Sequence, residues 1–396
     1  MTTTINNEHK KLNVPNLRFP EFQGEWEKFK LSDLCTFFSG GTPSSSNKDF
    51  YGGDIAFIRS GELHADSTEL FISQDGYDNS SAKMVEIGDL LLAMYGATSG
   101  DIAISKIKGA INQAILCIRT NQNKKFIESV WNKHVSKILR KYLQGGQGNL
   151  SADIVKGISF SFPTLEEQER IANLISLLDE RIATQNKVIE DLKKLKSAII
   201  EKHYSQVKKQ TTCIADLGEP FSVGSLAKDD LAEIGSPCVI YGELFTTYGE
   251  IIFHIESYTN KTDGMILSKK GDLLFPSSTT VDAMSLIAPS VINVDGVILG
   301  GDMFGIHISH NYNAQYLSYY FNHIAKKQLA KFAKGSTIIH LHYTDIEKAK
   351  LLLPSLEEQN RMAKCLVALD KKVSVEQNLL SSLTCQKSFL LQQMFI

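Results

Sequence analysis

The sequence predicts an α+β protein formed by internal duplication, with two globular mixed α/β domains separated by two long antiparallel helices. Three observations predict this fold class: a proline-led segment that occurs twice, a heptad pattern after each copy, and weaker matches between the regions preceding the copies. The copies begin at Pro163 and Pro354, 191 residues apart. Such a repeat indicates a duplicated unit of about half the chain.

The two copies of this segment are identical at nine positions, which include the run Leu-Glu-Glu-Gln and the arginine that follows. Paired acidic residues just after the expected helix start suit the positive end of a helix dipole. We expect this set to serve helix starts and inter-domain contacts, although simple capping and solvation is an equally good interpretation. The set comprises Glu166, Gln168 and Arg170 in the first copy and Glu357, Gln359 and Arg361 in the second.

A heptad pattern follows each copy, and no glycine or proline interrupts residues 164–204 or 355–396. At 1.5 Å per residue each helix is about 60 Å long. Such a narrow apolar seam predicts a coiled-coil-like pairing with another helix, and the other copy is the expected partner. The predicted interface consists of Ile175, Leu178, Ile182, Ile189 and Leu192 in the first helix and Leu366, Leu369, Val373, Leu380 and Leu383 in the second.

The helices are predicted to run antiparallel, because a compact domain of the intervening size has a radius of gyration of only about 14.5 Å. Its entry and exit points are then much closer together than one helix length. This gives the chain pseudo-two-fold symmetry, with one domain at each end of the helix pair. The predicted parts are a disordered tail (1–14), a first domain (15–163), a central helix (164–210), a second domain (211–353) and a C-terminal helix (354–396).

Composition indicates an ordinary soluble, cytoplasmic protein, with 43% hydrophobic and 22% charged residues and no apolar run of membrane-spanning length. The six cysteines form no Cys-x-x-Cys pair and are expected to be reduced and mostly buried. Packing is the expected role of Cys365 and Cys385 on the second helix. The net charge of −2 hides an acidic second domain, in which residues 211–354 carry 10 basic and 15 acidic side chains.

No motif in the chain predicts catalysis. A phosphate-binding loop and an amino-methyltransferase signature are both absent. His340 and His342 would share one face of a strand, but no third ligand lies nearby in sequence. We therefore expect a protein that is not an enzyme and that holds no metal or cofactor of its own.

A basic helix is predicted at the corresponding place in each domain, followed by a polar loop. Helical lysines suit phosphate contacts, and polar side chains on adjoining loops can read base edges. An ordinary charged surface is the alternative, which the recurrence in both halves makes less attractive. The predicted phosphate contacts are Lys133, Lys137, Arg140 and Lys141, then Lys327, Lys331 and Lys334; the predicted readout residues are Gln147, Asn149, Ser336 and Thr337.

These features together resemble the specificity (S) subunits of type I restriction–modification systems. The resemblance rests on the doubled Pro-x-Leu-Glu-Glu-Gln-x-Arg motif at 163–170 and 354–361, on the lead-in at 14–26, and on Ile87-Gly-Asp-Leu-Leu-Leu-Ala93. It implies two target-recognition domains, each reading one half of a bipartite DNA site across an unread spacer set by the helices. It also implies two modification subunits that bind S-adenosylmethionine, and restriction subunits that use ATP and Mg²⁺.

The chain departs from this family pattern in its second domain, which lacks the Leu-Arg-Phe-Pro lead-in and any tryptophan. The sequence nevertheless favours a non-catalytic DNA reader that scaffolds the modification and restriction subunits. The alternative is a pseudo-symmetric coiled-coil adaptor that binds only protein. Salt dependence of binding to random duplex DNA distinguishes the two functions.

Overall fold

In a computed structural model the protein is described over residues 12–142 and 149–396. The chain forms two compact units: Met1–Asn186 with Asn378–Ile396, and Lys187–Gln377. The division therefore falls within both long helices, and each unit contains a segment of each. Across the described residues, no helix is both long enough and apolar enough to cross a membrane.

The first unit mixes short strands with one substantial helix. Its strands are β1 (Glu27–Lys30), β2 (Cys35–Ser39), β3 (Tyr51–Ile58), β4 (Phe71–Ile72), β5 (Lys83–Val85), β6 (Leu90–Ala93), β7 (Ile102–Ile104), β8 (Gly109–Ile111), β9 (Ile115–Thr120) and β10 (Ser159–Phe162). Its helices are α1 (Leu31–Leu34), α2 (Gln74–Asp78), α3 (Lys124–Tyr142), α4 (Ala152–Gly157) and α5 (Leu165–Gln206), which continues into the second unit.

The second unit repeats this mixture with more strands. They are β11 (Lys209–Cys213), β12 (Gly218–Ser222), β13 (Leu231–Ala232), β14 (Ser236–Ile240), β15 (Ile251–Ile252), β16 (Ser257–Thr259), β17 (Ile266–Leu267), β18 (Asp272–Pro276), β19 (Ser278–Thr279), β20 (Ser290–Ile292), β21 (Ile298–Gly300), β22 (Met303–Ile308), β23 (Ile339–His340) and β24 (Lys350–Pro354). Its helices are α6 (Glu243–Thr246), α7 (Ala283–Leu286), α8 (Ala314–His323), α9 (Lys326–Leu329), α10 (Tyr343–Ile346) and α11 (Leu356–Met394), which continues into the first unit.

The sheet order shows that the two units are duplicates. The antiparallel sheet β2-β9-β6-β7 of the first unit corresponds to β12-β22-β18-β20 of the second. The mixed sheet β4-β3-β8-β5 likewise corresponds to β16-β14-β21-β17, and both have a parallel central pair. In each unit the opening strand pairs antiparallel with the strand that precedes the proline motif, β1 with β10 and β11 with β24. The predicted internal duplication with mixed sheets is confirmed.

The motif glutamine joins each long helix to its own domain in the same way. Gln168 donates to Pro163 O at 3.0 Å and accepts from the amide of Asn123 at 3.2 Å. Gln359 donates to Pro354 O at 2.9 Å and accepts from the amide of Asn313 at 3.0 Å. Each asparagine in turn accepts from an amide in the first turn of α3 or α8. The motif therefore links the start of one helix to the start of another.

The neighbouring motif glutamate explains why the lead-in segment occurs only once. Glu167 is buried and accepts from the Arg18 guanidinium at 2.7 and 2.8 Å and from the Trp26 indole at 3.3 Å. A buried carboxylate needs such partners. Its counterpart Glu358 is half-buried and is held instead by His203 and Arg361. The second domain therefore does without an arginine and a tryptophan at the corresponding positions.

The long helices run antiparallel within each unit. In the first unit Lys387 contacts Asp179 at 2.5 Å, and Ile171 and Ile175 share a core with Phe395. In the second unit Lys196 contacts Asp370 at 2.8 Å and His203 contacts Glu358 at 3.2 Å. In both units the residue numbers rise along one helix as they fall along the other.

The ten residues predicted for the helix interface all lie toward the inside. Buried members are Ile175, Leu178, Ile189, Leu366, Val373 and Leu383; half-buried members are Ile182, Leu192, Leu369 and Leu380. The heptad spacing therefore identified the inward side of both helices.

The expected packing role of Cys365 and Cys385 is wrong. Both side chains are exposed on α11, because the heptad places Leu366 and Leu383 inside and turns these cysteines outward.

The disordered tail predicted over residues 1–14 extends too far into the chain. Asn13 donates to Ser161 Oγ at 3.1 Å and its backbone carbonyl accepts from Trp26, which ties it to β10. Residues 1–11 lie outside the described part of the chain.

Replacing Gln359 with alanine should destabilise the protein by about 1–3 kcal/mol, because the buried Pro354 carbonyl and Asn313 amide lose their partner. Thermal or urea unfolding of the full chain measures the effect. Glu357→Ala is the matched control, since that side chain is exposed two positions earlier in the same helix. Equal destabilisation by both substitutions would contradict the structural role of the glutamine.

Candidate nucleic-acid interface

The basic stripe predicted on the first unit lies along the C-terminal half of α3. Lys137, Arg140 and Lys141 are exposed there, and neither lysine has an ion-pair partner among the described residues. Lys133 differs from its neighbours: its ammonium group donates to Gln392 O at 3.1 Å and to Phe395 O. It caps the end of α11, where a cation is favoured. Burial and the nearby Lys137 lower its pKa.

Beside this stripe lies a cleft of about 520 Å³. Lys28, Lys137 and Lys141 line it, together with His134, which stacks on Phe160 at 5.5 Å. Burial lowers the pKa of His134 below its ordinary value, although its bond to Ile396 O opposes this. The permanent positive charge of the cleft therefore comes from its lysines, which suit a phosphate group.

The described end of the polar loop after α3 lies next to a second turn of the first unit. The backbone amide of Leu150 donates to Met94 O at 3.0 Å, which sets exposed Asn149 beside the 3₁₀ turn Gly96–Thr98. The indole of buried Trp131 donates to Gly100 O at 2.8 Å and fixes the other end of that loop. Gln147, the other readout residue predicted here, lies outside the described residues.

In the second unit the predicted basic helix is wrong in form. After α8 the chain makes only the four-residue α9 and the 3₁₀ turn Ala330–Phe332. Lys327 and Lys331 are exposed on these turns, and neither forms an ion pair with any described residue. Lys334 contacts Asp345 at 2.5 Å. Its charge is therefore partly neutralised within the unit.

The readout residues predicted in the second unit lie at the tip of a closed turn. The backbones of Lys334 and His340 exchange hydrogen bonds of 2.9 and 2.7 Å. Ser336 and Thr337 lie between them and are exposed. Both hydroxyl groups therefore lie on an exposed turn that begins at Lys334.

Many acidic side chains of the second unit accept hydrogen bonds from its own backbone amides. Seven carboxylates accept main-chain amides at 2.7–2.9 Å, which explains much of the acidity of this domain. They are Asp216, Asp230, Glu243, Asp272, Asp295, Asp282 and Asp345.

One further acid of the second unit joins a largely buried charge cluster. Glu250 contacts Lys196 at 2.9 Å and His323 at 2.8 Å. Burial opposes its ionisation, but His323 and Lys196 outweigh burial and lower its pKa to about 2. The carboxylate is therefore ionised at neutral pH and is matched by the positive charge of Lys196.

The histidine pair does not extend into a metal site. The rings of His340 and His342 stack at 6.2 Å, and over residues 12–142 and 149–396 no group of three possible ligands is placed to hold an ion. Both units instead present exposed cations beside polar loops, an arrangement that suits a phosphate backbone with adjoining bases.

Known proteins are similar to this chain over nearly its whole length. The model of the type I restriction modification DNA specificity domain matches residues 23–194 and again 207–384. The type I restriction enzyme MjaVIII specificity subunit of Methanocaldococcus jannaschii is 24% identical, over 91% of this chain and 89% of that protein. The EcoR124I/EcoR124II specificity subunit of Escherichia coli is 26% identical, over 48% of this chain and 50% of that protein.

Solved structures show that the fold is shared. The crystal structure of a type I restriction–modification S subunit from M. genitalium has a TM-score of 0.64 at 16% identity, covering 97% of this chain and 99% of that one. A chain from a study of assembly and conformational transition in a type I system has a TM-score of 0.55 at 15% identity, covering 93% and 97%. With two copies of the specificity domain in sequence and the matching duplicated fold, the chain belongs to the type I restriction–modification DNA specificity family.

Proposed function

We propose that this chain is the DNA-specificity subunit of a type I restriction–modification complex and reads a bipartite target, one half with each unit. The observation that carries the proposal is the duplication itself, because both units present exposed lysines next to polar loops on the same scaffold. Lysines position the protein on phosphates in any sequence, whereas loop hydroxyl and amide groups distinguish bases. Lys137, Arg140 and Lys141 serve the first half-site, and Lys327 and Lys331 the second.

The long helices determine the separation of the half-sites and carry the catalytic partners. Support comes from apolar side chains that the helix pair leaves exposed. Leu177, Val188 and Leu195 are exposed on α5 and lie within about 20° of one another around the helix. Val375, Leu379 and Phe389 are exposed within about 80° on α11. Such stripes indicate protein docking.

In this proposal the chemistry belongs to the docked subunits. Two modification subunits bind S-adenosylmethionine and methylate the target, and restriction subunits use ATP and Mg²⁺ for cleavage. The chain described here contributes sequence recognition and assembly in the cytoplasm. The alternative, an adaptor that binds only protein, has no use for exposed cations beside polar loops in both units.

Binding of the full chain to random duplex DNA should weaken steeply as salt rises, because phosphate contacts release counterions. Lys137→Ala and Lys141→Ala should each reduce the slope of log affinity against log salt by about 1. The control is Lys193→Ala, an exposed lysine on the middle of α5. Binding that does not depend on salt would favour the protein-only adaptor.

A host that expresses this chain with its modification partner should acquire methylated adenines in one bipartite motif with an unread spacer. Methylome sequencing measures this directly and identifies both half-sites. Omitting the chain while keeping the partner is the control, and the motif should then disappear. Methylation of a continuous motif, or of the same motif without the chain, would contradict the proposed function.

A further inference from the structure

Four large apolar side chains are exposed around one group of packed elements in the second unit. Val281, Met284, Phe332 and Ile338 expose 72%, 41%, 37% and 50% of their surface. They lie on α7 and the residues flanking it, on the 3₁₀ turn Ala330–Phe332, and on the turn before β23. Helix α7 packs against that 3₁₀ turn and against β19 and β23. These four exposed residues therefore lie on neighbouring elements, and together they are called the apolar patch.

The backbone holds the apolar patch outward in a defined conformation. Ile338 lies in the turn that the Lys334–His340 hydrogen bonds close. Gly335 has a φ of 112°, and a Cβ at this position would lie 2.1 Å from Ile338 O, so only glycine fits the turn. On the other side, Asp282 caps α7 by accepting from the Ser285 amide at 2.7 Å. The exposed side chains are therefore presented on constrained turns.

Positive charge borders the apolar patch. Lys331 precedes Phe332, and Lys327 lies one turn earlier; both are exposed and without an ion pair among the described residues. Of the two acids in these turns, Asp345 pairs with Lys334, whereas Asp282 caps α7 and keeps its negative charge. Lys327 and Lys331 still outnumber that carboxylate, so the surface suits a ligand that is anionic and also offers apolar groups.

Duplex DNA has this combination in its major groove, where the thymine C5-methyl is the one apolar group among hydrogen-bonding base edges. The hydroxyl groups of Ser336 and Thr337 lie beside Ile338 and supply the polar contacts that such edges require. An acidic protein would match the lysines and the apolar side chains, but it would not require this pair of hydroxyls at the tip of the turn.

We propose that the apolar patch reads thymine methyl groups in the half-site bound by the second unit, with Lys327 and Lys331 on the flanking phosphates. This inference rests on the proposed function. It adds a chemical class of base contact and four specificity residues, and it predicts that the second half-site contains at least one A·T pair.

Deoxyuridine differs from thymidine only by the missing methyl group, so replacing thymines one at a time isolates this contact. After methylome sequencing has identified the target, binding is measured with the chain assembled with its modification subunits. Each thymine of both half-sites, in either strand, is replaced in turn. We expect at least one replacement in the second half-site to weaken binding about fourfold (roughly 0.8 kcal/mol for a buried methyl). In Val281→Ser and Ile338→Ser variants that penalty should disappear, as a double-mutant cycle requires.

The control is Ile234→Ser, which changes a side chain of the same unit that is 84% exposed and has no lysine within five residues in sequence. It should keep the deoxyuridine penalty, and all three variants should melt at the temperature of the original chain. A deoxyuridine penalty that survives in both patch variants would overturn the inference. Patch variants that bind DNA normally but no longer bind a protein partner would also overturn the inference. Failure of the original complex to bind any bipartite site would instead contradict the proposed function.

Discussion

Contact between the two long helices holds each unit together, because the core of each unit includes a segment of both helices. Seam residues that are fully buried, such as Ile175 and Leu366, contribute about 1.5–3 kcal/mol each. The lysine–aspartate pairs contribute less energy but fix the register. Burial opposes ionisation of Asp179, and Lys125 and Lys387 outweigh it and lower its pKa. The pair Lys196–Asp370 has the equivalent place in the second unit.

The glutamine of each proline motif connects a long helix to the domain that precedes it. Gln168 and Gln359 connect the helix starts to Asn123 and Asn313, so that α3 and α8 begin at fixed positions relative to the long helices. The exposed lysines of the first unit then follow along α3. These contacts connect a scaffold that is repeated in both units to loops that differ between them. A recognition protein benefits from that division, because its loops can change without altering the helix seam.

Much of this architecture was predictable because the duplication is local in sequence. Heptad spacing identified the inward residues of both helices, and the proline motif located their starts within two residues. The sheet order was not predictable, since it depends on pairings such as β1 with β10 across more than a hundred residues. The sequence places Lys133 in the phosphate stripe and cannot show its carbonyl contacts, because those partners lie about 260 positions away. The apolar patch had a signal in sequence, namely Val281 and Ile338 within polar loops, but only the structure shows that they lie beside neighbouring elements.

In the proposed function, the two long helices set the length of the unread spacer between the half-sites. Inserting one heptad after Ile189, with a matching heptad in α11, tests it most directly, because a whole heptad preserves the seam while lengthening both helices by about 10 Å. Methylome sequencing of a host carrying this variant should show the same two half-sites separated by a longer spacer. An unchanged spacer, or altered half-sites, would contradict the proposed role of the helices in setting the spacer.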